Sequence, residues 1–180
     1  GLTEDEGDGV SISTSIGDMS LTAAYVYDGG GGGNVDGAAN TAAGASLSMA
    51  VGTGTFTIAS ASEDVAGTNN QELGASYVMS AAGGTLSLGF TGTDGDTPGK
   101  EGEAFSAAFS TSLGGASVAI GYTAHDANNQ TSNQTDLTIS SSLGGGASLF
   151  AEYTNVSGDI AAASTTTDAT VVAVGTSVSF

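Results

Sequence analysis

Val172-Ala-Val-Gly-Thr-Ser-Val-Ser-Phe180, at the C-terminal end of the chain, is written in period two. Val172, Val174, Thr176, Val178 and Phe180 fall on one side of an extended chain; Ala173, Gly175, Ser177 and Ser179 fall on the other. Successive side chains of a strand point to opposite faces, so this stretch predicts a strand with one apolar face and one small, hydroxyl-bearing face.

The same pattern recurs on working back toward the N-terminus. Ala147, Leu149, Ala151 and Tyr153 oppose Ser148, Glu152 and Thr154; Leu137 and Ile139 oppose Thr138 and Ser140; Val118, Ile120 and Tyr122 oppose Ser117, Ala119 and Gly121. Phe105, Ala107 and Phe109 oppose Ser106, Ala108 and Ser110, and Leu86, Leu88 and Phe90 oppose Ser87, Gly89 and Thr91. Leu73 to Met79, Phe56 to Ile58, Ala45 to Val51, Met19 to Tyr27 and Val10 to Ile16 read alike. The total is about eleven strands of roughly 8 to 11 residues, close to what a tilted strand needs to cross a bilayer. No convincing helical periodicity competes with them.

The connections alternate in length. Gly17-Asp18, Gly52-Thr53-Gly54, Ala82-Gly83-Gly84, Gly114-Gly115 and Gly144-Gly145-Gly146 are tight turns, with glycine where positive φ is needed. Between them, 28–42, 61–72, 92–104, 124–136 and 156–169 read as long polar loops. Short turns on one side and long loops on the other are expected of an antiparallel transmembrane β-barrel. The other acids are placed in those loops or at their edges, with Glu4, Asp5, Glu6 and Asp8 ahead of the first strand, Asp18 in a short turn and Glu152 alone well inside a strand. With Phe180 at the periplasmic edge, Tyr27, Phe90, Tyr122 and Tyr153 fall near the outer boundary on the apolar face, and Phe56 falls near the inner one. Aromatic girdles at both interfaces belong to such barrels.

Composition agrees. Of 180 residues, 30 are Gly, 19 are Asp or Glu and 1 is Lys or Arg, giving a formal net charge of −18. Charged residues are 11%, too few to cover the surface of a soluble domain. Gly and Ser enrichment raises disorder as an alternative, but a mean hydropathy of +0.12 and regularly spaced apolar residues are wrong for a solvated coil. There is no Cys, hence no disulfide or thiolate metal site. No apolar run approaches a transmembrane helix, and no signal peptide is visible at Gly1, so the chain is read as mature, trimmed or a fragment. No basic footprint for nucleic acid exists.

Read against families, the chain resembles the general porins of purple non-sulfur bacteria and their marine relatives. Ser142-Leu-Gly-Gly-Gly-Ala-Ser-Leu149 followed by one loop and a final strand ending in Phe180 is the closest passage. Leu2-Thr-Glu-Asp-Glu-Gly-Asp8 running into Val10–Ile16 looks like the end of that family's inward-folded third loop and the strand after it. The resemblance implies a single barrel domain over 1–180, residues 1–8 being the end of the constriction loop, in a bacterial outer membrane of a Gram-negative cell with lipopolysaccharide around it. It implies about 16 strands in the whole barrel, so the expectation is that N-terminal strands are missing, or that another chain closes the barrel, and that the assembly is a homotrimer. The C-terminal Phe180 would be the assembly signal.

By the same resemblance Glu4, Asp5, Glu6 and Asp8 narrow the pore, and such loops in some members hold Ca²⁺, for which Glu4, Asp5 and Asp8 supply hard oxygen ligands; a solvated acidic terminus is the competing reading. Asp94-Gly-Asp96, with Glu101 and Glu103, is a second Ca²⁺ candidate or a solvated loop, lacking the full spacing of a calcium loop. Glu72 and Glu152 are candidates for lumen selectivity. Basic residues that line the family's opposite pore wall are not in this chain: Lys100 falls in a loop and Arg is absent. The lone His125 has no second ligand, no nucleophile elbow surrounds any Ser, and Gly29–Gly33 lacks the Lys-Ser/Thr of a phosphate loop. The chain is thus expected to be a non-catalytic channel without an obligatory cofactor, passing small hydrophilic solutes and favouring cations. The alternative is a Gly/Ser/Thr-rich β-structured extracellular filament, adhesin or surface coat.

Overall fold

The computed structural model describes residues 8–28, 40–65, 67–96, 101–127, 130–160 and 165–178. Among them lie eleven strands: β1 Asp8–Ile16, β2 Met19–Asp28, β3 Asn40–Val51, β4 Gly54–Val65, β5 Thr68–Ala81, β6 Gly84–Gly95, β7 Gly102–Leu113, β8 Ala116–Ala127, β9 Gln130–Gly144, β10 Ala147–Ile160 and β11 Thr165–Val178. They form one sheet in chain order, each strand beside the next. Registers from β1 to β4 and from β8 to β11 are antiparallel. The chain groups into two compact units, Gly1–Ser76 with Thr91–Gly102, and Tyr77–Phe90 with Glu103–Phe180.

Two-residue turns join the strands at Gly17-Asp18, Gly52-Thr53, Ala82-Gly83, Gly114-Gly115 and Gly145-Gly146. In the last three both central residues have positive φ, the type I′ geometry that matches strand twist. Ala82, at φ 49°, is the non-glycine residue that accepts it. Gly144, at φ 84°, sits beside a register shift between Ala147 and Ser148, so Leu143 is the extra residue of a bulge.

The strict alternation of short turns with long loops is corrected. The stretches 61–72 and 124–136 are not loops: β4 runs to Val65 and β5 starts at Thr68, while β8 runs to Ala127 and β9 starts at Gln130. A strand is held by its main-chain ladder, and polar side chains do not interrupt that ladder where they face water. For the same reason the acids are not confined to loops and loop edges. Glu63, Asp64, Glu72, Asp94, Glu103, Asp126, Asp136, Asp159 and Asp168 are all strand residues. Asp8 likewise opens β1 rather than preceding it, opposite Tyr27. The bias toward one end survives: apart from Glu152, these strand acids lie in the half of their strand away from the two-residue turn.

In the first unit the register stacks Thr14, Leu21, Leu47 and Ile58 in one row and Ile16, Met19, Met49 and Phe56 in the next. In the second, Val118, Ile139, Ala151 and Val174 align, and Ile120, Leu137, Tyr153 and Val172 align beside them. These rows form an apolar face. Yet no described residue is buried, and Val174 and Val172 are 71% and 68% exposed. Among the described residues each unit is a single layer of sheet, with no second layer covering the apolar rows on either face.

Candidate functional site

The opposite face carries hydroxyls. In the first unit Ser15, Ser20, Ser48 and Thr57 align across β1 to β4, and Ser13, Thr22 and Ser46 across β1 to β3. Ser13 Oγ and Thr22 Oγ1 are 3.1 Å apart, and Ser48 Oγ and Thr57 Oγ1 2.8 Å. Small hydroxyls can satisfy one another along such a row and still leave lone pairs for water.

Farther from the turns the same unit forms an open pocket of about 310 Å³ lined by Ala42, Ala61, Glu63, Asn70, Glu72, Thr93 and Asp94 among others. Asn70 Nδ2 donates to Glu63 Oε1 at 3.0 Å. Asn70 Oδ1 is buried without a hydrogen-bond partner, and it lies over Gly95, where a Cβ would run into it. Beyond the pocket, Asp64 Oδ1 accepts from Gly67 N at 2.9 Å, closing the β4–β5 connection. Asp96 Oδ2 accepts from Asn69 N at 3.3 Å, and Asp96 N donates to Asn69 O at 2.8 Å. These two aspartates tie down main chain at strand ends.

In the second unit the hydroxyl face contains Ser117, Ser140 and Phe150 opposite Gly175, then Thr138, Glu152 and Ala173, then Gly121, Asp136, Thr154 and Val171. Asp136 is half-buried. Gln134 Nε2 donates to its Oδ1 at 3.1 Å and to its Oδ2 at 2.9 Å, and Thr154 Oγ1 donates to Oδ1 at 2.8 Å. Phe150 breaks the small-residue rule on this face. Its ring lies over Gly175, where a Cβ would be 2.7 Å from Cζ, so the glycine's bare Cα is what admits the ring.

The sequence-derived candidates therefore fall as follows. Glu72 is in β5, lining the pocket with Glu63, which sequence reading had put in a loop. Glu152 is in β10, opposite Thr138 and Ala173. Asp136 was missed; its signal was its parity with Ser140 and Thr138, obscured by the polar run before it. Glu4, Asp5 and Glu6 lie outside the described residues, as does Phe180. Asp94 lines the pocket while Asp96 holds Asn69, and among the described residues no three His, Asp or Glu gather in a metal-binding group. Tyr27, Phe90, Tyr122 and Tyr153 lie in β2, β6, β8 and β10, 38% to 44% exposed, and Phe56 is half-buried in β4. Tyr122 Oη donates to Asn133 Oδ1 at 2.8 Å, leaving its ring on the apolar face with a satisfied polar tip.

No protein-family model and no curated protein sequence matches the chain. Solved structures do. The anion-selective porin from Comamonas acidovorans has a TM-score of 0.66 at 17% identity, over 94% of this chain and 56% of that one. A porin refined at 1.8 Å resolution gives 0.63 at 16%, over 97% and 64%. The loop L8 deletion mutant of OmpT, an outer-membrane protein of Vibrio cholerae, gives 0.59 at 12%, over 93% and 62%. The fold is the antiparallel β-barrel fold of bacterial outer-membrane porins. This chain spans less than two thirds of the length of each of these three.

Proposed function

We propose that this chain forms wall of a bacterial outer-membrane channel through which small hydrophilic solutes and ions diffuse, cations in preference to anions. The observation that carries this is the division of the sheet into two faces. One face presents Leu, Ile, Val, Met and aromatic side chains that no protein layer covers; acyl chains supply the missing cover. The other presents linked hydroxyls, the Glu63–Glu72 pocket, Asp136 and Glu152, which suit enclosed water. Diffusion needs no catalytic group, and the proposed channel assigns none.

The sign of the preference follows from charge. Nineteen acids face one basic residue, so wall carboxylates are balanced by mobile cations, and anions are repelled. The Comamonas porin is described as anion-selective; the charge balance here supports the opposite preference. In the strand order β1 and β11 each have one neighbour, which supports closure of the wall by further strands, from more polypeptide or another subunit. OmpT of Vibrio cholerae is described in a trimer form, and trimeric assembly is proposed here also. The test is reconstitution into planar lipid bilayers: stepwise conductance with a cation-favouring reversal potential is expected. A protein that stays soluble and monomeric without detergent, or forms fibres in buffer, overturns the proposal.

A further inference from the structure

We infer that Asp136 is a selectivity-determining carboxylate of the channel wall, with Gln134 and Thr154 as its positioning residues; this rests on the channel function proposed above. Three features set it apart from the other acids. First, it is oriented: both oxygens are held, by Gln134 Nε2 at 3.1 and 2.9 Å and by Thr154 Oγ1 at 2.8 Å. Second, every one of those donors is neutral, so the hydrogen bonds fix the group without cancelling its charge. Against 19 acids the chain has one Lys, no Arg and one His. Third, one flank is bare. Asp136 is opposite Gly121 in β8, and a Cβ built on Gly121 would meet nothing within 4 Å.

The other acids with described bonds are occupied differently. Asp64 and Asp96 hold main-chain amides at strand ends, and Glu63 accepts from Asn70 within its pocket. Asp136 instead stands near the middle of β9 on the hydroxyl face, half-buried, where a passing ion meets its charge through less water than at the rim. Glu152 shares that face one pairing step toward the turn, through Thr138. The ligand class is any small monovalent cation in transit; no resident ion is implied.

For an ion passing at about 6 Å in 0.1 M salt, one fixed charge changes the cation-to-anion ratio about three-fold, falling to about 1.4-fold at 1 M salt. The experiment compares Asp136→Asn with the parent channel, reading the reversal potential under a potassium chloride gradient at both salt levels, with single-channel conductance and heat-modifiable gel mobility alongside. Asp136→Asn is expected to lower the potassium-to-chloride permeability ratio about three-fold in dilute salt, and far less in concentrated salt, with assembly unchanged. Gln134→Leu with Thr154→Val, which leaves the carboxylate but frees it, is expected to shift the ratio by a smaller amount in the same direction. A purely structural network would alter assembly and leave the reversal potential of the assembled channels where it was. That result, or a normal ratio in assembled Asp136→Asn channels, overturns the assignment of Asp136 alone. A parent protein that never conducts overturns the channel function itself.

Discussion

Placing an arginine at Val174 and, separately, at its neighbour Ala173 separates the two faces of β11 most cleanly. Val174 lies four residues before Val178, the end of the strand. At about 3.3 Å per residue this is roughly 13 Å along the strand, and a tilt of about 40° leaves roughly 10 Å of depth in an apolar band about 25 Å tall. Val174 therefore stands close to mid-membrane, on the row it shares with Ala151 and Ile139. Val174→Arg should cost about 2–4 kcal/mol of stability in a bilayer, or roughly 30-fold and upward in the folding equilibrium. Ala173 occupies the same depth but opposes Glu152, so Ala173→Arg gains an opposite charge in water and should cost no more than about 1 kcal/mol. Urea titration of the protein refolded in lipid vesicles measures both. Equal costs, or a larger cost at Ala173, would refute the assignment of the apolar face to lipid and everything built on it.

Further outcomes follow from packing and turns. Gly175→Ala should destabilise the protein by about 1–3 kcal/mol, since its methyl enters the space of the Phe150 ring; adding Phe150→Ala should recover part of that loss, giving a coupling of at least about 0.5 kcal/mol in a double-mutant cycle. Gly84→Ala should cost a similar amount with no such rescue, because its Cβ would run into the main-chain oxygen of Ser110; denaturant midpoints in vesicles check both. Ala82→Gly should raise stability by about 0.5–1 kcal/mol, as relief of the positive φ at Ala82 outweighs the added freedom of the unfolded chain. An unchanged or lower midpoint for Ala82→Gly would argue against strain at that turn.

Much of this architecture is legible without coordinates, and the failures share a cause. Period-two alternation identified the strands, and glycine pairs located the two-residue turns, because side-chain parity and positive φ are local properties. Strand ends away from the turns were misread. Thr131 to Gln134 and Asn69 to Gln71 are polar, and polarity was taken as the end of the strand, whereas it marks only where side chains meet water. Asp136 and Glu63 were hidden by that error. Phe150 was passed over because it contradicts the face on which it sits, and what resolves the contradiction, Gly175, is on the next strand. Pairing across strands carries information that a single strand's alternation lacks.

The absence of a buried core among the described residues has a consequence for biogenesis. In the channel wall proposed above, the apolar side chains of the described strands gain their cover from lipid, so acquiring structure and entering the membrane become one event. Since each strand neighbours the next in sequence, zippering hairpin by hairpin on arrival involves no distant search along the polypeptide.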